Sequence, residues 1–417
     1  MKFEAYHISA AIKKNLSRIG FKRPTDIQFK SIPSIMKGED VLAIAQTGTG
    51  KTAAFAIPLI DRIHREKSSK RSPGIKCIVM VPTRELALQI GAVFTELAKQ
   101  TKVKTFSLVG GVEQDPQIKK IQDGIDVLVT TPGRMFDLIH QGVIRLGSVD
   151  TLVLDEADRM LDLGFIEDIK FVKKMLTRKH QTLFFSATIN KEIKKLAFSQ
   201  VKSSAIRIQL SPDDPVSRSV SHFVMFVEMD DKRFFLERFI KDNPKSKVIV
   251  FVRTRVRAER VAKAMGRVRI DSLTIHGAKE QQDRSDVLQR FKEGECNVMI
   301  ATDVSARGID IPDVHYVINY DLPEKPEYYV HRVGRTGRGV NKGVAISFCS
   351  QGEKECLDLI QQFLNKEIEV IEIGKKDYAD ILDSPKEEIS LQELIDEHES
   401  WLKKKKKKKP KKTGKRK

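Results

Sequence analysis

The chain has 417 residues, 40% of them apolar and 31% charged, which is enough for two or three domains with full cores. It contains no uncharged apolar stretch long enough to cross a membrane, and Met1-Lys2-Phe3-Glu4-Ala5 opens without a hydrophobic export region, so we expect no membrane and no secretion. The net charge of +19 points to a polyanionic partner, but residues 403–417 hold 12 Lys/Arg and no acid, leaving 19 − 12 = +7 for the rest.

In chain order, the first informative segment is the apolar Val41-Leu42-Ala43-Ile44, followed by Ala45-Gln46-Thr47-Gly48-Thr49-Gly50-Lys51-Thr52 and the helix-like Ala53-Ala54-Phe55-Ala56-Ile57. Strand, glycine turn and helix start together let backbone N–H groups face a polyphosphate, with Lys51 reaching the β/γ-phosphates and Thr52 holding Mg²⁺. The usual first glycine is Ala45 here.

Short β-branched runs then alternate with helical spacings. Residues 77–81, 126–129, 151–154 and 182–185 read as buried strands, while Leu86, Ile90, Val93 and Leu97 recur at helical spacing. This alternation predicts an α/β fold with parallel sheets covered by helices on both faces. Ligands then bind beyond the carboxyl ends of the strands, and polar clusters sit at those ends. Pro82-Thr83-Arg84 and Thr131-Pro132-Gly133-Arg134 offer hydroxyls, arginines and helix starts suited to backbone phosphates. Asp155-Glu156-Ala157-Asp158 suits Mg²⁺ coordination by Asp155 and deprotonation of an attacking water by Glu156, although such a cluster also suits the start of a helix. Ser186-Ala187-Thr188 follows the next strand and reads by itself as a helix cap.

Around residues 210–218 the run Ser-Pro-Asp-Asp-Pro-Val-Ser has two prolines and no periodicity, which marks an interdomain linker. The strand pattern restarts at 247–252, 298–301, 316–318 and 344–347. The expected organisation is a first domain over 1–209, a linker over 210–218, a second domain over 219–372 and an appendage over 373–417. In the second domain, Thr302-Asp303 and Gly308-Ile309-Asp310 follow one strand, and His331-Arg332-Val333-Gly334-Arg335-Thr336-Gly337-Arg338 places arginines three apart among glycines. Such arginines can act as fingers on a phosphoryl group, or simply form a solvated basic loop.

In the appendage, Ile389, Leu391, Leu394, Ile395, His398 and Trp401 fall on roughly one face of an acidic helix, and the Lys-rich run after them is too charged to fold. That run can neutralise phosphates without reading sequence, aid solubility or serve as a localisation signal. Cys77, Cys296, Cys349 and Cys356 lack paired ligand spacing, so we expect reduced thiols in a cytoplasmic setting and no structural zinc.

Taken together, these segments resemble the DEAD-box RNA helicase family, with the match covering both α/β domains in order. The resemblance implies two tandem RecA-like domains that bind ATP and Mg²⁺, bind RNA with little sequence preference, and separate strands locally. Phe21 and Pro24-Thr25-Asp26-Ile27-Gln28, with Phe3 upstream, resemble the adenine-recognising segment, in which Phe21 would pack on the ring and Gln28 read its edge. By the same resemblance Thr47, Gly48, Thr49, Gly50, Lys51 and Thr52 would hold the phosphates. Asp310 would lie near the ribose, and Arg335 and Arg338 would contact the γ-phosphate. Ser186, Thr188, Asp158 and His331 would couple hydrolysis to RNA. Pro82, Thr83, Arg84, Gly111, Thr131, Gly133, Arg134, Gln281, Arg284 and Thr302 would touch the RNA backbone. Two positions depart from the family pattern: Arg253 stands where a smaller polar residue is common, and Asp26 replaces a common proline. The compact core and short basic tail look most like the bacterial RhlE-like branch, and ribosome or ribonucleoprotein particles are conceivable partners of a monomeric core. Rival readings are a non-catalytic ATP-dependent RNA clamp or scaffold, and a DNA helicase.

Overall fold

The structure is a computed structural model that describes residues 2–46, 48–69, 71–72, 74–188, 191–210, 219–303, 311, 313–337 and 342–383. Thr47, Asp310, Arg338, the segment 211–218 and everything after residue 383, including the amphipathic stretch and the Lys-rich run, lie outside the described residues. The chain divides into two compact units, one on each side of the segment 211–218.

In the first unit, β1 (Val41–Ile44), β2 (Cys77–Met80), β3 (Thr105–Leu108), β4 (Val127–Thr130), β5 (Thr151–Leu154), β6 (Gln181–Ser186) and β7 (Ile206–Gln209) form one sheet in the order β3-β4-β2-β5-β6-β1-β7. Every pairing in it is parallel. Because successive side chains point to opposite faces, Val41 and Ala43 join one apolar cluster while Leu42 and Ile44 join another. Cys77 and Val79 divide from Ile78 and Met80 in the same way. The sheet is thus sandwiched between helices on both faces, which is why its strands read as unbroken apolar runs.

The second unit contains β8 (Val220–Phe226), β9 (Val248–Phe251), β10 (Leu273–Ile275), β11 (Val298–Ala301), β12 (Tyr316–Asn319), β13 (Gly343–Cys349) and β14 (Glu369–Val370), in the order β10-β11-β9-β12-β13-β8-β14. Adding seven to each strand number of the first sheet reproduces this order. The repeat is topological, with no residue-level repetition behind it. It places chemistry at matching strand ends: the candidate phosphate loop, acid cluster and Ser186-Ala187-Thr188 follow the adjacent β1, β5 and β6. The candidate RNA-contacting residues follow β2, β3 and β4 in one unit and β10 and β11 in the other, which are corresponding halves of the two sheets. Among the described residues no helix is long and apolar enough to cross a membrane.

Candidate nucleotide and nucleic-acid sites

β1 ends in a loop that only glycine turns easily. Gly48 has φ +81° and Gly50 φ +91°, the left-handed region where a side chain is strained, and Gly50 caps the helix Lys51–Glu66. A Cβ on Gly50 would also run into Gln28 Nε2. Lys51 is buried, and its ammonium donates to the loop carbonyls of Ala45 at 2.6 Å and Gln46 at 3.3 Å. Thr49 Oγ1 donates to Gln46 O at 2.8 Å. Left-handed glycines, a helix N-terminus and a lysine held among carbonyls it can exchange for phosphate oxygens together fit a polyphosphate. Ala45 costs the loop nothing: it is buried, and its N–H donates to Ser186 O at 3.0 Å, continuing the β1–β6 ladder.

Gln28 is tied into this loop. Its Oε1 accepts the N–H of Thr25 at 3.0 Å in a capping box, and its Nε2 donates to Gly50 O at 3.1 Å. A carboxamide has two donors and two lone pairs, so each end keeps one position for a base edge. Phe21 is partly buried and stacks on Phe3, with ring centroids 6.4 Å apart.

The acid cluster follows β5. Asp155 is buried, and burial pushes its carboxyl up to about 7 against the opposing pull of the Lys51 ammonium. Asp155 Oδ1 accepts the N–H of Glu156 at 2.9 Å. Glu156 itself sits at φ +51°, a left-handed conformation that costs a non-glycine residue about 1–3 kcal/mol, and it does so at the start of the helix Ala157–Asp162. Its buried Oε2 has no hydrogen-bond partner among the described residues, and Arg159 Nη1 stands 3.7 Å away. A buried acid with an acceptor left open is suited to take a proton from water. The hydroxyl of Thr52 and the Asp155 carboxylate are hard oxygen donors of the kind Mg²⁺ takes alongside substrate phosphates.

Asp158 binds this cluster to the loop after β6. Its Oδ2 accepts Ala187 N at 3.2 Å, Thr188 N at 2.9 Å and Thr188 Oγ1 at 2.9 Å, while Ser186 Oγ donates to Thr188 O at 2.8 Å. A tetrapeptide and a tripeptide that each suit a helix start in the sequence are thus one hydrogen-bonded unit.

At the other half of the first sheet, Thr83 caps the helix Arg84–Ala98 through its Oγ1, which accepts Leu86 N at 3.4 Å, and Pro82 is buried behind it. The Arg84 guanidinium lies against Gly110 and Gly111, where a Cβ on Gly111 would strike Arg84 Nη1. Arg134 Nη2 donates to Val112 O at 3.2 Å, and its buried Nη1 has no hydrogen-bond partner among the described residues. Thr131 precedes the helix Pro132–His140 without a side-chain capping bond. A Cβ on Gly133 would meet nothing within 4 Å, so its bareness serves no packing in the chain and leaves room for a backbone to approach.

In the second unit, Gln281 opens the helix Gln281–Glu293 with Arg284 one turn on, and Thr302 N donates to Ile275 O at 3.3 Å. His331 is buried in the helix Pro326–Val333, and the buried Arg335 donates through Nε to His331 O at 3.1 Å. Arg253, the departure noted above, donates its backbone N–H to Asp321 Oδ2 at 2.9 Å, and its guanidinium stands 3.6 Å from Glu353.

Sequence reasoning missed the buried Arg159, and it grouped Arg332, which is 1% exposed, with arginines that act as fingers or form a solvated loop. Arg159 faces Glu156, and Arg332 is gripped by Asp303 through Nε at 2.6 Å and Nη2 at 2.8 Å. The only signal for Arg332 was an arginine inside the apolar helical run Tyr329-Val330-His331-Arg332-Val333, where a charge must be paired.

Two parallel seven-stranded sheets of one order, with a phosphate loop after the first strand and an acid pair after the fifth, define a nucleotide hydrolase of tandem RecA-like architecture. Residues 25–196 match the DEAD/DEAH box helicase family and residues 231–340 the helicase conserved C-terminal domain. The DEAD-box ATP-dependent RNA helicase CshA of Bacillus subtilis is 38% identical over 367 residues, covering 88% of this chain and 73% of that protein. The ATP-dependent RNA helicase DeaD of Buchnera aphidicola is 37% identical over 380 residues, covering 91% of this chain and 62% of that one. Among solved structures, S. cerevisiae Dbp5 bound to RNA and ADP BeF3 superposes with a TM-score of 0.83 at 30% identity, covering 96% of this chain and 98% of that one. Mss116p bound to ssRNA and AMP-PNP gives 0.80 at 28% identity, covering 95% and 83%. The chain belongs to the DEAD-box helicase family.

Proposed function

We infer that this chain is an ATP-dependent RNA helicase that hydrolyses ATP when bound to RNA and locally unwinds or remodels RNA duplexes and ribonucleoproteins. The observation that carries the reading is the meeting of phosphate loop, acid cluster and Ser186-Ala187-Thr188 at the ends of adjacent strands, joined through Asp158.

In this reading Gln28 and Phe21 hold the adenine, the loop from Thr47 to Thr52 cradles the phosphates, and Lys51 exchanges its loop carbonyls for phosphate oxygens. Thr52 and Asp155 would hold Mg²⁺, which when bound neutralises charge on the β- and γ-phosphates. Glu156 accepts the proton of the water that attacks the γ-phosphorus, and ADP leaves. Arg335 and Arg338 supply positive charge to the transferring phosphoryl group, and Asp310 steadies the ribose. RNA lies on Pro82, Thr83, Arg84, Gly111, Thr131, Gly133 and Arg134 in the first unit and on Gln281, Arg284 and Thr302 in the second. Contacts to backbone and 2′-hydroxyls would make binding indifferent to sequence and favour RNA over DNA. The domain limits drawn from the sequence, a monomeric core, a cytoplasmic setting and particle-bound RNA as substrate belong to this same reading. The relatives named above are CshA and DeaD proteins, which lend no support to the RhlE-like branch.

Glu156→Gln is the test. It removes the proton-accepting charge and little else, so RNA-stimulated turnover should fall by orders of magnitude while ATP and RNA binding stay near parental. Hydrolysis by this variant at the parental rate would exclude Glu156 as the base. The same assay run with DNA in place of RNA separates the RNA helicase from a DNA helicase, and parental turnover indistinguishable from background would favour the clamp.

A further inference from the structure

The second unit contains a row of polar side chains, nearly all buried, running through its sheet. His222 Nδ1 pairs with Tyr329 Oη at 2.9 Å, and burial raises the pKa of the Tyr329 hydroxyl while Ser347 pulls it the other way. Asn319 Nδ2 donates to Ser347 Oγ at 3.2 Å, and Asn319 Oδ1 accepts from Arg332 Nη1 at 3.2 Å. Arg332 Nη1 also donates to Asp321 O at 2.6 Å, and the guanidinium fork closes on both oxygens of Asp303. Its carbon stands 5.2 Å from the centre of the Phe251 ring. Asn319, Ser347 and Tyr329 are each 0% exposed, and Arg332 is 1% exposed.

The fold does not require this. Asn319 and Ser347 are register partners on β12 and β13. At the corresponding place in the first unit, the last residue of β5 and its partner on β6 are Leu154 and Phe184, both fully buried and apolar. The same topology is therefore closed by hydrocarbon in one unit and by a polar chain in the other. A buried polar network is worth no more to stability than well-packed apolar groups, so its presence here calls for a use.

Its placement indicates one. Tyr329 and Arg332 lie three residues apart on one face of the helix Pro326–Val333, so anchoring both fixes the helix's rotation. Arg335 projects two residues beyond that helix, and Asp303 is the neighbour of Thr302. We propose that the chain His222–Tyr329–Ser347–Asn319–Arg332–Asp303 is a positioning brace that locks the arginine-bearing helix to the Thr302 loop, so that RNA engagement and phosphoryl-transfer geometry are set together within the second unit. These are positioning residues: none touches substrate. The inference rests on the functional reading above.

The test uses the full chain, with ATPase measured against polyuridylate concentration at saturating ATP and against ATP at saturating polyuridylate. Asn319→Leu installs the residue that the first unit tolerates at the corresponding place and cuts the chain at its centre. It should lower kcat roughly tenfold, the scale of one lost hydrogen bond to a charged group. It should also raise the half-saturating RNA concentration several-fold and leave the ATP KM within about twofold, because the phosphate loop lies in the other unit. Ser347→Ala added to Asn319→Leu should cost little more, since the chain is already cut. A purely structural role would lower kcat through a reduced active fraction without moving the RNA half-saturation. Tyr329→Phe, which deletes one oxygen and keeps the packing, should show the same pattern in weaker form and decides the matter if Asn319→Leu fails to fold. Parental kcat and RNA half-saturation in the folded variants, or losses that add independently, would overturn the brace. Absence of RNA-stimulated turnover in the parental protein would overturn the functional reading and the brace with it.

Discussion

Asp158 should be the costliest single polar residue to remove from the first unit's candidate site, and the structure ranks its neighbours. Asp158→Ala deletes the acceptor of three backbone N–H groups and of the Thr188 hydroxyl; Arg159 N keeps its bond to Glu156 O, so the stranded backbone donors are those of Ala187 and Thr188. All are buried. Each stranded backbone donor costs about 1–3 kcal/mol, so the variant should lose about 2–6 kcal/mol. Thr188→Val removes one hydrogen bond to a charged group and strands no backbone donor, for about 1.5–3 kcal/mol. Ser186→Ala removes a neutral bond to Thr188 O and should cost about 0.5–1.5 kcal/mol. Urea denaturation of the full chain, followed by a probe in the first unit, should rank the variants in that order. The pair Asp158→Ala and Thr188→Val share one bond, so the double variant should lose less than the two singles combined. Because the same bonds join the acid cluster to the loop after β6, Thr188→Val should keep more ATP turnover than strand separation. Additive losses, a reversed order, or equal retention of hydrolysis and unwinding would refute the reasoning.

Gln28→Ala should weaken ATP use and relax discrimination against GTP, and Gly50→Ala should raise the ATP KM more steeply, since its Cβ meets both Gln28 and a φ of +91°; equal parental activity with both nucleotides would contradict the first. Arg335→Ala should reduce RNA-stimulated hydrolysis by roughly 10³ or more, the scale of an arginine finger, as measured by steady-state ATPase, and a few-fold loss would return it to a structural role. Deleting residues 403–417, which carry 12 positive charges, should weaken RNA binding and flatten its salt dependence, whose slope is roughly 0.7 per neutralised phosphate, while turnover at saturating RNA stays near parental. Identical salt slopes would mean that this run does not touch RNA.

The sequence made nine strands legible, and the five it concealed lie at or beside the edges of the two sheets. Four of them, β3, β7, β10 and β14, are the edges of the two sheets, and the fifth, β8, lies beside an edge. A central strand of a parallel sheet is covered by helices on both faces and must be apolar throughout, as in Cys77–Met80. An edge strand can meet solvent, so Ile206–Gln209 alternates in burial and Thr105–Leu108 is only half covered, and neither stands out from loop, whereas the edge strand Leu273–Ile275 is buried but only three residues long.

The local chemistry was equally readable where geometry forces residue identity. Left-handed φ at Gly48 and Gly50, the helix start at Lys51 and the acids after a buried strand are short-range requirements, written into consecutive residues. What the chain alone could not disclose is which of these segments touch. That Asp158 serves the loop 29 residues later through Ala187, that Gln28 reaches back from its own cap to Gly50, and that Arg332 is held by Asp303 and Asn319 are consequences of strand order. The order β5-β6-β1 brings together segments more than a hundred residues apart, and a buried arginine or asparagine acquires its partner only when that order is fixed. Sequence determined the central elements and the candidate reactive groups, because backbone conformation and burial are local demands on residue type. Tertiary structure decided their pairing, because hydrogen bonds between strand ends depend on sheet topology, which no run of neighbouring residues encodes.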